Sequence, residues 1–149
     1  KRGHTPRIQS RGGRVHVNII GSVSLLTGKV FTPIVKRFNA RTFRRFLQKL
    51  LAKNEGVKKI VLILDNARVH HAKIIQKFQS LVKHELELIF LPPYSPKLNP
   101  IEQPWKFMRE WITHNKFHAT FDALLKDLRA FLEGLKVPND EVKSRWCFY

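Results

Sequence analysis

KKIVLILDNARVHH, residues 58–71, decides how this chain is read. Five consecutive apolar residues, Ile60, Val61, Leu62, Ile63 and Leu64, stand between a lysine pair and an aspartate. A short apolar run bounded by charge is the pattern of a strand covered on both faces, so this segment is the expected central strand of a sheet. Reactive groups in open sheets with parallel strands gather at the C-terminal strand ends, and Asp65 occupies such an end. A structural reading stands beside the functional one: Asp often starts a turn by hydrogen-bonding its own backbone, and DNARVH has turn composition.

Working outward, a helical pattern at 71–83 turns Ile74, Ile75, Phe78, Leu81 and Val82 inward, and ELELIF (85–90) reads as a short strand. Upstream, Asn39 can cap a helix running to about Lys53, with Phe43, Phe46, Leu47, Leu50 and Leu51 toward the core and Arg41, Arg45 and Lys49 outside. RVHVNIIGSVS (14–24) alternates apolar and polar residues, and KVFTPIVK (29–36) follows an LLTG turn, so the two predict an antiparallel hairpin in which His16 is an ordinary strand residue. A last helix runs from cap Thr120 through Phe121, Leu124, Leu125, Leu128 and Leu132 to Gly134. The predicted order is ββαβαβαα, an α/β fold.

Between ELELIF and the last helix lies LPPYSPKLNPIEQPW (91–105). Each proline fixes its own φ and pushes the preceding residue toward extended conformations, so the segment is a stiff ramp rather than a strand or helix before residue 100. Beyond it Ile101, Trp105, Met108 and Ile112 fall on one helical face, which places Glu102 at the mouth of a helix. With Asn99 as N-cap and Pro100 first in the helix, Glu102 would complete a capping box. Pro104 instead suits a helix that begins at Gln103, so the start of the helix stays open.

The chain has 149 residues and 43% hydrophobic content, which fits one globular domain and argues against disorder. No apolar run approaches the roughly 20 residues of a bilayer span, no secretory pattern opens the chain, and Cys147 is alone. These features suit a reducing cytoplasm. The first residue is Lys1, which reads as a fragment of a longer protein. Twenty-eight Lys and Arg against eleven Asp and Glu give a net charge of +17, and residues 1–54 hold thirteen basic residues and no acid, so the natural partner is a polyanion. A ribosomal or chromatin-type binding protein would share that charge. The first thirteen residues read as an exposed basic loop and 136–149 as a C-terminal tail.

The carboxylates separate these readings. Two of them ~4 Å apart repel by about 4 kcal/mol at an effective dielectric near 20, so a cation is expected between Asp65 and Glu102 if they converge. Mg²⁺ fits, because it takes carboxylate oxygens and binds phosphate oxygens. Zinc fits poorly, because Cys147 stands alone and adjacent His70 and His71 point apart on a helix, although one of them can line the site.

DNARVHH (65–71), LPPYSPKLNPIEQPW (91–105), KRGHTP (1–6) and GSVSLLTGKVF (21–31) together resemble the DDE transposases of bacterial and archaeal insertion sequences related to mariner elements. The resemblance covers nearly the whole chain. It implies a ribonuclease-H-like mixed sheet flanked by helices and a catalytic domain, 1–149, that cuts transposon ends and transfers the freed strand to target DNA. It further implies three acids holding two Mg²⁺ or Mn²⁺ ions, with Asp65 as the second acid and Glu102 as the third. Asn66 and His70 match residues that shape the site. DNA partners, synapsis by a homodimer, a prokaryotic source and a nucleoid-associated location follow from the same resemblance. Candidate DNA-binding residues are Arg2, Arg7, Arg11, Arg14, Arg68 and Lys97.

The chain departs from that pattern in one respect. The first acid of the family lies on a strand before the segment matched by KRGHTP, and no acid precedes Glu55 here. The expectation is therefore an N-terminally truncated catalytic domain lacking its first, central strand. The slot would be filled by a rearranged strand, a neighbouring chain or upstream residues. The alternative is a catalytically inactive DNA-binding remnant.

Overall fold

The hairpin expected within residues 14–36 forms in two pieces that share one register. In the computed structural model, which describes residues 16–93, 99–114, 116–138, 140 and 144, β1 (Asn18–Ile19) pairs antiparallel with β4 (Ile34–Val35). Strand β2 (Ser22–Val23) pairs likewise with β3 (Val30–Phe31). Asn18 faces Val35, Ile19 faces Ile34, Ser22 faces Phe31 and Val23 faces Val30, so no residue is gained or lost across the break. The Ile20 N–H donates to the Pro33 carbonyl at 3.2 Å and bridges it. Pro33 has no N–H to return, which is why regular pairing lapses there. At the tip the Gly28 N–H donates to the Ser24 carbonyl at 2.8 Å, and Gly28 takes φ +70°, a conformation glycine adopts without steric cost.

Helix α1 (Ala40–Lys53) starts where its sequence says. The Asn39 side chain accepts from the Thr42 N–H at 3.0 Å, and the Thr42 hydroxyl accepts from the Asn39 N–H at 2.9 Å, a reciprocal cap. Phe43, Phe46, Leu47 and Leu50 are its buried stripe. Strand β5 (Ile60–Leu64) pairs parallel with β6 (Leu86–Phe90), Ile60 opposite Leu86 and Leu64 opposite Phe90, and α2 (Lys73–Leu81) makes the crossover. Helices α3 (Glu102–Ile112) and α4 (Phe121–Gly134) follow, α4 capped by the Thr120 hydroxyl accepting from the Ala123 N–H at 3.0 Å.

Two apolar clusters hold these elements. One joins α1, α2, β5 and β6 to one side of the hairpin: Phe43, Phe46, Leu47, Leu50, Ile75, Leu86 and Leu88 are buried there together with Ile20, and Phe31 packs against them. The other joins α3 and α4 to the opposite side of the hairpin, through Val30, Phe107, Ile112, Leu128, Leu132 and Leu135, with Val17, Ile19 and Val23 alongside. The hairpin is thus covered on both faces. The Val30 N–H also donates to the Leu135 carbonyl at 2.8 Å, tying the hairpin to the end of α4.

The element order agrees with the sequence reading, once the hairpin strands are counted in pieces. Three details differ. The strand at 60–64 is covered on one face only: Ile60, Leu62 and Leu64 turn inward, whereas Val61 and Ile63, with Ile89 beside them, are exposed. The mixed sheet is present as three two-stranded pieces, and among the described residues β5 pairs with β6 alone. Leu81 is 82% exposed, while Ile74, Ile75, Phe78 and Val82 keep the inward stripe. Among the described residues no helix is long and apolar enough to cross a membrane.

Candidate active site

Asp65 follows the last residue of β5, and its carboxylate is divided between two tasks. Oδ1 accepts from the Ala67 N–H at 3.2 Å, so the turn-forming role open to it from sequence is real. The same oxygen lies 3.1 Å from Nδ1 of His70, a nitrogen that is also 3.1 Å from the Asp65 carbonyl oxygen. Both neighbours of that nitrogen can only accept, so His70 presents Nδ1–H to them. Oδ2 has no partner among the described residues, and the Asp65 side chain is 62% exposed. One oxygen is fixed by the loop; the other is left without a partner among the described residues.

His70 is buried and held by aromatic rings. Phe43 lies 4.4 Å from it between centroids, and Phe38 lies 6.1 Å away, edge-on. Phe43 in turn stacks on Phe46, and Phe46 on Phe31 of the hairpin, so the support of Asp65 runs through α1 into the first core cluster. Residues 68–71 are not helical. The His70, His71 and Ala72 N–H groups donate three residues back, to Ala67, Arg68 and Val69, before α2 begins. The two histidines therefore address one loop instead of diverging around a helix.

Asn66 closes the other side of the loop. Its Nδ2 donates to the carbonyl of Leu91, whose own N–H donates to the Leu64 carbonyl at 2.8 Å. The end of β5 and the residue after β6 are thereby bonded to each other twice. Leu91 begins the proline-rich segment, of which residues 94–98 lie outside the described residues, as does candidate Lys97.

Glu102 is the first residue of α3 and exposed, and its carboxylate has no hydrogen-bond or ion-pair partner among the described residues. The capping-box reading does not hold. Asn99 caps its own turn, its Oδ1 accepting from the Ile101 N–H at 3.3 Å and its carbonyl from the Glu102 N–H at 3.1 Å. Ile101 takes the cap position and Pro104 falls inside the first turn, where its missing N–H costs nothing. Asp65 and His70 are thus bonded to each other, Asn66 next to them in the chain is bonded to Leu91 and His71, and no bond joins the Glu102 carboxylate to any of them among the described residues. Of the basic candidates Arg68 is exposed on the Asp65 loop; Arg2, Arg7, Arg11 and Arg14 lie outside the described residues. Sequence reasoning missed the part played by His71, whose signal was its spacing from Asn66 within a turn.

The donors present suit a hard divalent cation. Mg²⁺ and Mn²⁺ sites use one or two carboxylates and complete their shell with water and phosphate oxygens, whereas zinc wants nitrogen and sulfur. Among the described residues no group of three His, Cys, Asp or Glu side chains converges to hold a metal.

A family model described as DDE superfamily endonuclease matches residues 1–125. The insertion element IS630 39 kDa protein of Shigella sonnei is 30% identical over 134 residues, 89% of this chain and 38% of its own length. The protein y4pE/y4sA of Sinorhizobium fredii is 32% identical over 107 residues, 72% of this chain and 76% of its own length. The chain therefore spans well under half of the first relative. Among solved structures, the Mos1 transposase paired-end complex with left transposon end superposes with a TM-score of 0.66 at 17% identity, over 98% of this chain and 46% of that one. The catalytic core of BIV integrase superposes with a TM-score of 0.53 at 15% identity, over 87% of both chains. Those two likenesses place the mixed α/β fold with the ribonuclease-H-like cores of transposases and integrases. With the family match covering most of its length, the chain belongs to the DDE superfamily endonucleases, among the proteins related to insertion element IS630.

Proposed function

We propose that this chain is the catalytic domain of a transposase that cleaves phosphodiesters at transposon ends and transfers the freed strand to target DNA. The observation that carries the reading is the state of Asp65: at a strand end, one carboxylate oxygen held by the Ala67 N–H and His70, the other without a partner among the described residues. Glu102, its carboxylate equally without a partner among the described residues, is the second acid. In this reading the two acids hold Mg²⁺ or Mn²⁺, which when bound supplies Lewis-acid chemistry to the phosphodiester. Solved Mos1 catalytic domains contain Mn or Mg, which supports the choice of ion.

The remaining work falls to the chain's own residues. His70 and Asn66 hold the loop, Glu102 projects from the first turn of α3, and the excess of basic side chains neutralises the DNA backbone. Transposon-end DNA is the partner in the Mos1 complex, and DNA engaged by a dimer is our reading here. The finer topology belongs to the same reading. A further strand, bringing a third acid from an upstream segment or a neighbouring chain, would lie along the edge of β5 that has no partner among the described residues.

The second reading is an inactive DNA-binding remnant, which the basic, acid-free residues 1–54 would suit equally well. Plasmid nicking in Mn²⁺, by this chain and by the same chain joined to the preceding segment of the Shigella sonnei relative, separates the two. We expect weak or no nicking by the first and nicking by the second that is abolished by Asp65→Asn and Glu102→Gln. Nicking by the joined chain that survives both substitutions would refute the acid pair.

A further inference from the structure

His71 lies outside the acid pair, and its ring is engaged at one edge and on its face. Its Nε2 is 3.1 Å from Oδ1 of Asn66, its ring packs on Phe90 at 4.3 Å between centroids, tilted by 30°, and its carbonyl accepts from Nε2 of Gln76 at 3.0 Å. The Asn66 amide has only one consistent orientation. The Leu91 carbonyl can only accept, so Nδ2 must face it; Oδ1 then faces His71, and His71 must donate Nε2–H. His70, beside it, presents the opposite nitrogen, Nδ1–H, to Asp65.

These bonds form a closed circuit across the ends of the parallel strands. The Leu91 N–H reaches back to Leu64, the Leu91 carbonyl is held by Asn66, Asn66 is held by His71, and His71 rests on Phe90, the residue before Leu91. Asp65 lies inside the circuit, between Leu64 and Asn66. Leu91 is where the proline-rich segment leading to Glu102 begins. A carboxamide bonded through its nitrogen alone can still pivot about that bond, and His71 supplies a second bond, at Oδ1, that restrains it further.

We propose that His71 is a positioning residue: by donating Nε2–H to Asn66 it locks the bridge between the Asp65 loop and Leu91, and so sets the spacing at which the two acid-bearing segments leave the sheet. The proposal rests on the reading of Asp65 and Glu102 as a metal-binding pair. It assigns separate tasks to the two faces of one side chain, hydrogen bonding to Asn66 and stacking on Phe90, which substitution can separate. His71→Gln keeps a donor near the Nε2 position and loses the ring; His71→Phe keeps the ring and loses the donor.

The test measures Mn²⁺ binding to the 149-residue chain by electron paramagnetic resonance, exchange of the Asn66 side-chain amide protons by NMR, and the thermal midpoint. Partners of this kind behind a metal site contribute about 10- to 100-fold in affinity. We expect His71→Phe to weaken Mn²⁺ binding by about 10-fold or more and to speed Asn66 amide exchange, with His71→Gln restoring both toward wild type. Nitrogen-15 spectra of the wild type should show His71 protonated at Nε2 and His70 at Nδ1. If Asp65→Asn abolishes Mn²⁺ binding while His71→Phe and His71→Gln behave alike, only the positioning role falls. If Asp65→Asn leaves Mn²⁺ binding unchanged, the acid pair falls and the proposal with it. A His71→Phe chain whose Asn66 amide exchanges at the wild-type rate would also overturn the proposal.

Discussion

Trp105 closes directly on the backbone of Gly21: a β-carbon placed on Gly21 would stand 2.6 Å from Cη2 of the indole and 2.7 Å from its Cζ2. The contact joins the second turn-length of α3, a few residues after Glu102, to the break in the hairpin. Thr32 is the third party, its Cγ2 lying 3.1 Å from the same point. Gly21 is therefore needed for room, and α3 is seated by the one residue that has no side chain to obstruct it.

Gly21→Ala should lower stability by about 1–3 kcal/mol, the usual cost of overpacking, because the indole is a rigid ring and cannot yield as a flexible chain end would. Chemical denaturation checks this. Trp105→Leu in the same chain should recover part of the loss, so a double-mutant cycle with no coupling between the two positions would contradict the contact.

Binding to DNA should be steep in salt and indifferent to sequence. A chain of net charge +17 gains most of its affinity from phosphate contacts, each contributing about 0.9 to the slope of log affinity against log salt. Arg68→Ala, on the exposed Asp65 loop, should reduce that slope by about 1 and weaken scrambled and natural duplexes alike. Strong preference between duplexes across a salt series would refute the expectation.

Thr32→Val should stabilise the protein by up to about 1 kcal/mol. The Thr32 hydroxyl is buried with no hydrogen-bond partner among the described residues, and Val has the same shape without the polar atom. An unchanged or lowered denaturation midpoint would show that the hydroxyl is satisfied in solution.

The α3–α4 connection should loosen in acid. Asp127 is held below the usual carboxylate range chiefly by the hydrogen bond from Lys116 at 2.7 Å, with His118 at 3.5 Å on the same oxygen. A carboxylate with a lowered folded-state pKa stabilises fully above its unfolded value and loses that contribution as pH falls through the folded one. Asp127→Asn should thus be less stable than wild type at neutral pH, with the gap closing below the ordinary carboxylate range. Thermal midpoints of both chains across an acid series measure the gap; a gap independent of pH would refute it.

Much of this was legible because local signals agreed with tertiary ones. Asn39 and Thr120 carry capping side chains, and the stripes Phe43, Phe46, Leu47, Leu50 and Leu128, Leu132 follow the helical period, so both helices lie where the sequence puts them. The position of Asp65 at the end of β5 was legible from the apolar run before it. The covering of β5 was not, because Val61 and Ile63 read the same whether a layer lies over them or not; that depends on what packs there. Nor was the start of α3, where three cues competed within six residues and Asn99 spent its side chain on its own turn. The engagement of His71 depends on residues 68–71 being successive tight turns, and turn composition does not show which ring nitrogen meets which partner.

The seat of Trp105 also bears on the order of folding. Gly21 and Trp105 are 84 positions apart, whereas the hairpin around Gly28 and the caps of α1 and α4 close within a few residues. Contacts of low sequence separation form first, and distant ones must wait for loop closure. The hairpin should therefore form before α3 docks on it, and Glu102 should reach its final place only with that late docking. Slow-folding variants of Trp105 should therefore accumulate a species with native hairpin and α1 but no metal affinity, which makes recovery of Mn²⁺ binding the last phase to appear on refolding.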